Sequence, residues 1–176
     1  VLSSLASYFK PNKVFEIGTY TGFTTLHFAL NTPSNSIVYT LDLPQNFYPT
    51  PDQALSYDDR LVIKLSTENT HQRIVKNSPQ KQKIIELFGD SKNFDYSTYY
   101  GKIDLVFIDS NHSYEFIKSD TENAFKMISD RGVIVWHDYD YIIHRDVFNY
   151  LNSLSKTYKI YSIPHTRFAI YGKKIT

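Results

Sequence analysis

Acidic residues stand at or near the ends of five apolar runs: Glu16 in VFEIG, Asp42 in IVYTLDL, Asp90 in KIIELFGDS, Asp109 in IDLVFID and Asp138 in GVIVWHD. Two histidines accompany them. His112 follows Asp109 by three residues, and His137 directly precedes Asp138. Carboxylates can accept the hydroxyls of a sugar or hold a hard cation, and an imidazole can move a proton near neutral pH. One acid after an apolar run is an ordinary cap or loop residue. Five in the same position along one chain describe a rim.

For those ends to meet, the runs must be neighbouring strands. Lys13–Ile17, Ile37–Leu43, Lys83–Phe88, Ile103–Ile108 and Gly132–Trp136 are solid apolar runs. Such runs predict strands covered by helices on both faces, which is a mostly parallel α/β sheet. Helices are expected over Leu2–Phe9, Phe23–Leu30, Ser113–Ser129 and Ile143–Lys156. The third carries an apolar stripe at Tyr114, Ile117, Thr121, Ala124, Phe125 and Ile128. Asp130-Arg131-Gly132 reads as a turn. Tyr158–Ile163 and Arg167–Tyr171 are separated by three residues, which predicts an antiparallel hairpin. Pro44–Asp59, with Phe47, Tyr48 and Tyr57, reads as a long surface loop able to cover a substrate, and Ser66–Asn77 as a weak polar helix.

The stretch VFEIGTYTG places a glycine turn between the first strand and its helix. Gly18 permits an unusual backbone angle or a close approach, and Gly22 can open the helix. Their spacing is G-x-x-x-G, not the G-x-G-x-x-G of dinucleotide sites. Asp42 lies 24 residues after Gly18, where a carboxylate can accept both ribose hydroxyls of an adenosine.

VFEIGTYTG, VYTLDL, LFGDS, DLVFIDSNHSY and GVIVWHDYD, in that order, resemble a class I S-adenosylmethionine-dependent methyltransferase of the small-molecule O-methyltransferase branch, with D-x-x-H after the fourth strand. The resemblance runs from Lys13 to the C-terminal hairpin. It implies a Rossmann-like, doubly wound, mostly parallel seven-stranded sheet with an antiparallel C-terminal hairpin, forming one domain over residues 1–176. It further implies a cofactor site of Glu16, Gly18, Thr19, Tyr20, Gly22, Asp42, Asp90, Ser91 and Asp109. Glu16 and Gly18 would face the methionine end, Asp42 the ribose, and Asp90 with Ser91 the adenine. Asp109 and His112 would be catalytic, with His112 as the base. Asp109, His137 and Asp138 would hold a divalent metal such as magnesium. A histidine among those ligands suits manganese, iron or zinc better. Tyr20 departs from the family pattern, standing where a glycine is common.

Other residues read as structure. His27 is expected half-buried in its helix and Trp136 in the core. His71, His144 and His165 have no supporting cluster, although His144 is close enough after the fifth strand to face a substrate. Net charge is +1 with no Lys/Arg cluster, which argues against nucleic acid as a partner. There is no apolar run of membrane-spanning length and no signal-peptide pattern. Cysteine is absent, in keeping with a cytoplasmic setting. The chain begins at Val1, which leaves room for an upstream lid segment. The expected partners are a small-molecule acceptor and, as in many relatives, a second copy of the chain. The competing readings are an NAD-type oxidoreductase domain and a non-catalytic adenosyl-binding domain.

Overall fold

The computed structural model describes residues 1–49, 55, 57–70 and 73–175. Its elements are α1 (Leu2–Phe9), β1 (Lys13–Ile17), α2 (Phe23–Asn31), β2 (Ile37–Asp42), α3 (Tyr57–Glu68), β3 (Ile84–Phe88), β4 (Ile103–Ile108), α4 (Tyr114–Met127), β5 (Ile128–Trp136), α5 (Arg145–Leu154), β6 (Tyr161–Ser162) and β7 (Ala169–Gly172). The strands form one seven-stranded sheet in the order β3-β2-β1-β4-β5-β7-β6. β3 through β5 run parallel, and β7 is antiparallel to both β5 and β6.

Alternation along the central strands divides the core into two layers. Phe15 and Ile17, Val106 and Ile108, and Ile134 and Trp136 face one side, where Ile117, Ala124 and Met127 of α4 and Val147 and Leu151 of α5 meet them. Val14, Leu105, Phe107, Val133 and Val135 face the other side, against Ala6 of α1 and Phe28 and Ala29 of α2. Both faces are covered, so these strands carry apolar residues at nearly every position. Trp136 is buried as expected, and its indole N–H donates to Thr121 at 2.9 Å. His27 is half-buried on α2, within 3.0 Å of the Ser3 hydroxyl.

Three sequence expectations need correction. The sequence predicts loop from Pro44 to Asp59, but α3 begins at Tyr57. The helix placed at Ser66–Asn77 is instead the end of α3 followed by a short 3-10 turn at Ile74–Asn77. The apolar residues Leu61, Val62 and Leu65 of α3 are well exposed, so the helix has no deep stripe to reveal its period. Residues 50–54, 56 and 71, including part of the expected substrate cover and His71, lie outside the described residues. Asp130-Arg131-Gly132 is not a turn either. β5 starts at Ile128 and runs through it, with a register shift opposite Ile103 and Leu105. A Cβ at Gly132 would lie 2.8 Å from the Ile103 carbonyl oxygen, so the irregular pairing requires glycine.

Among the described residues, no helix is long and apolar enough to cross a membrane.

Candidate active site

Strand order reverses between β1 and β4, and a cavity opens at their C-terminal ends, as expected of open α/β sheets. Its floor is Gly18 and Tyr20 after β1, and Asp109, Ser110, Asn111 and His112 after β4. Leu41 and Asp42 of β2 and Gly89, Asp90 and Ser91 after β3 form one side. Phe47, Leu55 and Val62, Ile63 and Ser66 of α3 complete the lining. The expected aromatic cover is thus partly realised: Phe47 lines the cavity, while Tyr48 is exposed.

Gly18 is required by the protein itself. Its φ is +100°, and a Cβ there would lie 2.0 Å from the Asp109 carbonyl oxygen. The ends of β1 and β4 therefore touch through backbone. Gly22, at φ +80°, opens α2, and its missing side chain leaves space for Val75. Thr19 is buried, its hydroxyl 2.6 Å from that of Thr40. Neither Gly22 nor Thr19 lines the cavity.

Glu16 departs most from expectation. It is fully buried on the face of β1 opposite Ile17, and it is Ile17 that lines the cavity. Its Oε2 accepts hydrogen bonds from the hydroxyls of Thr25 and Thr40, and its Oε1 has no hydrogen-bond partner among the described residues. Burial, partly offset by the two threonine hydrogen bonds, pushes its pKa up to about 8. The structure thus puts Glu16 behind the cavity wall, with Ile17 in the lining.

Asp42 lines the cavity and is held by four donors. Its Oδ2 accepts from the Tyr20 N–H at 2.9 Å, the Ser66 hydroxyl at 2.7 Å and Arg73 Nη2 at 2.6 Å, and its Oδ1 from the Leu43 N–H at 2.8 Å. Oδ1 keeps acceptor capacity for a ribose hydroxyl. Arg73 is itself buried and also reaches Glu86 at 3.2 Å and the Tyr20 carbonyl at 3.1 Å. It ties the glycine turn to β2 and β3. Asp90 caps its own turn, accepting from Lys92 N and Asn93 Nδ2. Beneath the cavity floor, Asp120 of α4 accepts from the Ser110 hydroxyl and bonds Ser91. Burial raises its pKa to about 6.

The histidines and acids past β4 and β5 form one network. His112 lies between Asp138 Oδ2, 2.8 Å from Nε2, and Asp59 Oδ1, 3.1 Å from Nδ1. His137 Nδ1 lies 3.1 Å from Asp109 Oδ1 and 2.9 Å from Asp138 Oδ2. Arg167 Nη1 stands 3.3 Å from Asp138 Oδ1. Burial opposes charge on both histidines, but their carboxylate partners outweigh it and hold each at about 9. Burial likewise opposes charge on Asp138, and the imidazoles hold it well below the usual carboxylate range. The ring of His144 lies 4.1 Å from that of His112, and burial lowers its pKa. His112, expected as the base, has both ring nitrogens engaged by carboxylates.

Asp109, His137 and Asp138 do converge, as expected of a metal trio. Their chemistry does not fit magnesium. The His137 nitrogen stands between the two carboxylates, and magnesium takes oxygen ligands in a near-octahedral array.

Sequence reasoning missed Asp59, Ser66, Arg73 and Asp120. Only Asp120 left a trace, as an acid on the apolar stripe of α4 beside Ile117 and Thr121.

Comparisons with known proteins bear on the family and the fold. Residues 15–139 match the family model of a methyltransferase domain, a span from β1 to just past β5. The chain belongs to that methyltransferase family. Comparison with curated proteins yields no match. Among solved structures, the methyltransferase PaMTH1 of Podospora anserina, bound to S-adenosylhomocysteine (SAH), is similar at 16% identity and a TM-score of 0.66, over 99% of this chain and 76% of that one. The O-methyltransferase TomG of Streptomyces achromogenes, solved with S-adenosylmethionine (SAM), is similar at 14% identity and a TM-score of 0.65, over 97% and 77%. Spermidine synthase of Thermotoga maritima is similar at 15% and 0.63, over 99% of this chain and 58% of that one. At these identities the likeness is one of fold, and that fold hosts more than one transfer reaction.

Proposed function

We propose that this methyltransferase domain transfers a methyl group from SAM to a hydroxyl oxygen of a small molecule. The observation that carries the reading is the cavity at the β1/β4 reversal, lined by Gly18, Asp42, Asp90, Ser91 and Asp109 and lying within the family-matched segment. PaMTH1 with SAH and TomG with SAM support the choice of cofactor, and TomG supports oxygen as the acceptor atom. In this reading Asp42 Oδ1 takes a ribose hydroxyl, Asp90 and Ser91 face the adenine, and Gly18 and Asp109 flank the methionine end. The acceptor lies under Phe47, Val62 and Ile63. The methyl carbon leaves sulfur for oxygen in line, so positioning is the protein's main contribution. His112 lines the cavity between Asp59 and Asp138, and Asp109 takes the acceptor's proton.

The test is a thermal-shift panel with SAH, SAM and NAD, followed by transfer of labelled methyl to phenolic and alcoholic acceptors. A ligand at 100 times its Kd stabilises by about 2.7 kcal/mol. SAH should stabilise the domain and NAD should not. Stabilisation by NAD alone would overturn the reading. Asp109→Asn should retain SAH binding while losing turnover.

A further inference from the structure

We propose that His112, Asp138 and His144 form a binding site for a first-row divalent transition metal of the zinc type, distinct from the Asp109–His137 pair. The three ligand atoms come from three places. His112 follows β4, Asp138 follows β5, and His144 immediately precedes α5. His112 Nε2 is 2.8 Å from Asp138 Oδ2, and His144 Nε2 is 3.4 Å from Asp138 Oδ1. All three ligand atoms lie within 4.8 Å of one another. A zinc-type ion at about 2.0–2.1 Å from nitrogen and oxygen ligands spaces them by about 2.9–3.4 Å; here the two imidazole nitrogens stand at 2.8 and 3.4 Å from the two oxygens of one carboxylate, within the small movement that binding an ion requires. Two imidazoles and one carboxylate suit zinc, manganese, iron or cobalt, and suit magnesium poorly.

A second feature points the same way. Asp59, from α3, engages His112 Nδ1 at 3.1 Å. A carboxylate on the far nitrogen of a metal-binding histidine fixes its tautomer, so that Nε2 presents its lone pair to the ion, and raises its basicity. Asp138 is held at φ +55°, a left-handed angle that a non-glycine residue adopts at a cost, which turns its carboxylate toward both rings. Arg167 remains the outer partner of Oδ1 at 3.3 Å. His112 also lines the cavity. The site stands independently of the transfer reaction.

The test is metal binding, with no activity readout. The chelator-treated full chain is titrated with cobalt(II), followed by visible d–d absorption and calorimetry, with zinc as competitor. One equivalent should bind, with nitrogen-ligand d–d bands that zinc abolishes. His144→Ala and His144→Gln should each lower affinity by 10-fold or more, and Asp59→Asn by roughly 10- to 100-fold. Asp109→Asn should bind cobalt as the wild type does. Far-UV circular dichroism confirms that each variant is folded, and the wild-type titration decides by itself should a variant fail. Absence of stoichiometric binding, wild-type affinity in both His144 variants, or loss of binding in Asp109→Asn overturns the proposal.

Discussion

Glu16 illustrates how one side chain can couple acidity to folding. Its carboxyl is pushed up from 4.5 to about 8 by burial. A carboxyl raised in the folded state stabilises fully below the unfolded pKa and loses that contribution as pH climbs to the folded one. The unfolded chain releases this proton first, so unfolding free energy should fall between pH 4.5 and about 8. For one proton the slope is about 1.4 kcal/mol per pH unit. Other groups titrate in the same window. The measurement is therefore the difference between wild type and Glu16→Gln in urea unfolding at several pH values, which should slope across that window and be flat above it. Asp120 supports a second expectation. Asp120→Ala strips the Ser110 and Ser91 hydroxyls of their shared acceptor and should cost about 1–3 kcal/mol. Because Ser91 and Ser110 line the cavity, the KM for the methyl donor should rise more than kcat falls, and steady-state kinetics would show the split.

At the scale of elements, the strands were the most readable part. Lys13–Ile17 and Ile103–Ile108 are predicted and observed with the same bounds, because strands buried on both faces are apolar without interruption. What lay hidden was hidden for physical reasons. α3 packs by its edge over a cavity, with Leu61 and Val62 exposed, so its sequence YDDRLVIKLSTE offers no clean period. Glu16 ends a run that reads as rim, yet strand alternation turns its side chain away from the cavity. Arg73 and Asp59 reach the site from segments 31 and 53 residues away from the partners they bind, and no local spacing encodes such contacts. The glycine turn yields the sharpest prediction at this scale. Gly18→Ala would put a methyl group 2.0 Å from the Asp109 carbonyl at a backbone angle hostile to alanine. It should destabilise by about 3 kcal/mol or more and be recovered mainly unfolded, as judged by circular dichroism and urea midpoint.

For the whole molecule, two apolar layers share one sheet, and the single tryptophan sits in one of them. Trp136 is fully buried at the end of β5, between α4 and the rim. If the layers unfold together, tryptophan fluorescence and far-UV circular dichroism should give superimposable melting curves. SAH should shift both by the same amount. Curves that separate would mean that the β5–α4 side opens independently of the rest.

The backbone contact between Gly18 and Asp109 also bears on how such a protein could be retuned by directed evolution. A site whose two working strands abut without an intervening side chain has almost no mutable positions at its base. Diversity has to enter from above, through α3 and the segment before it. A library randomising Val62, Ile63 and Phe47 while keeping 18 and 109 fixed samples new acceptors without spending variants on chains that do not fold.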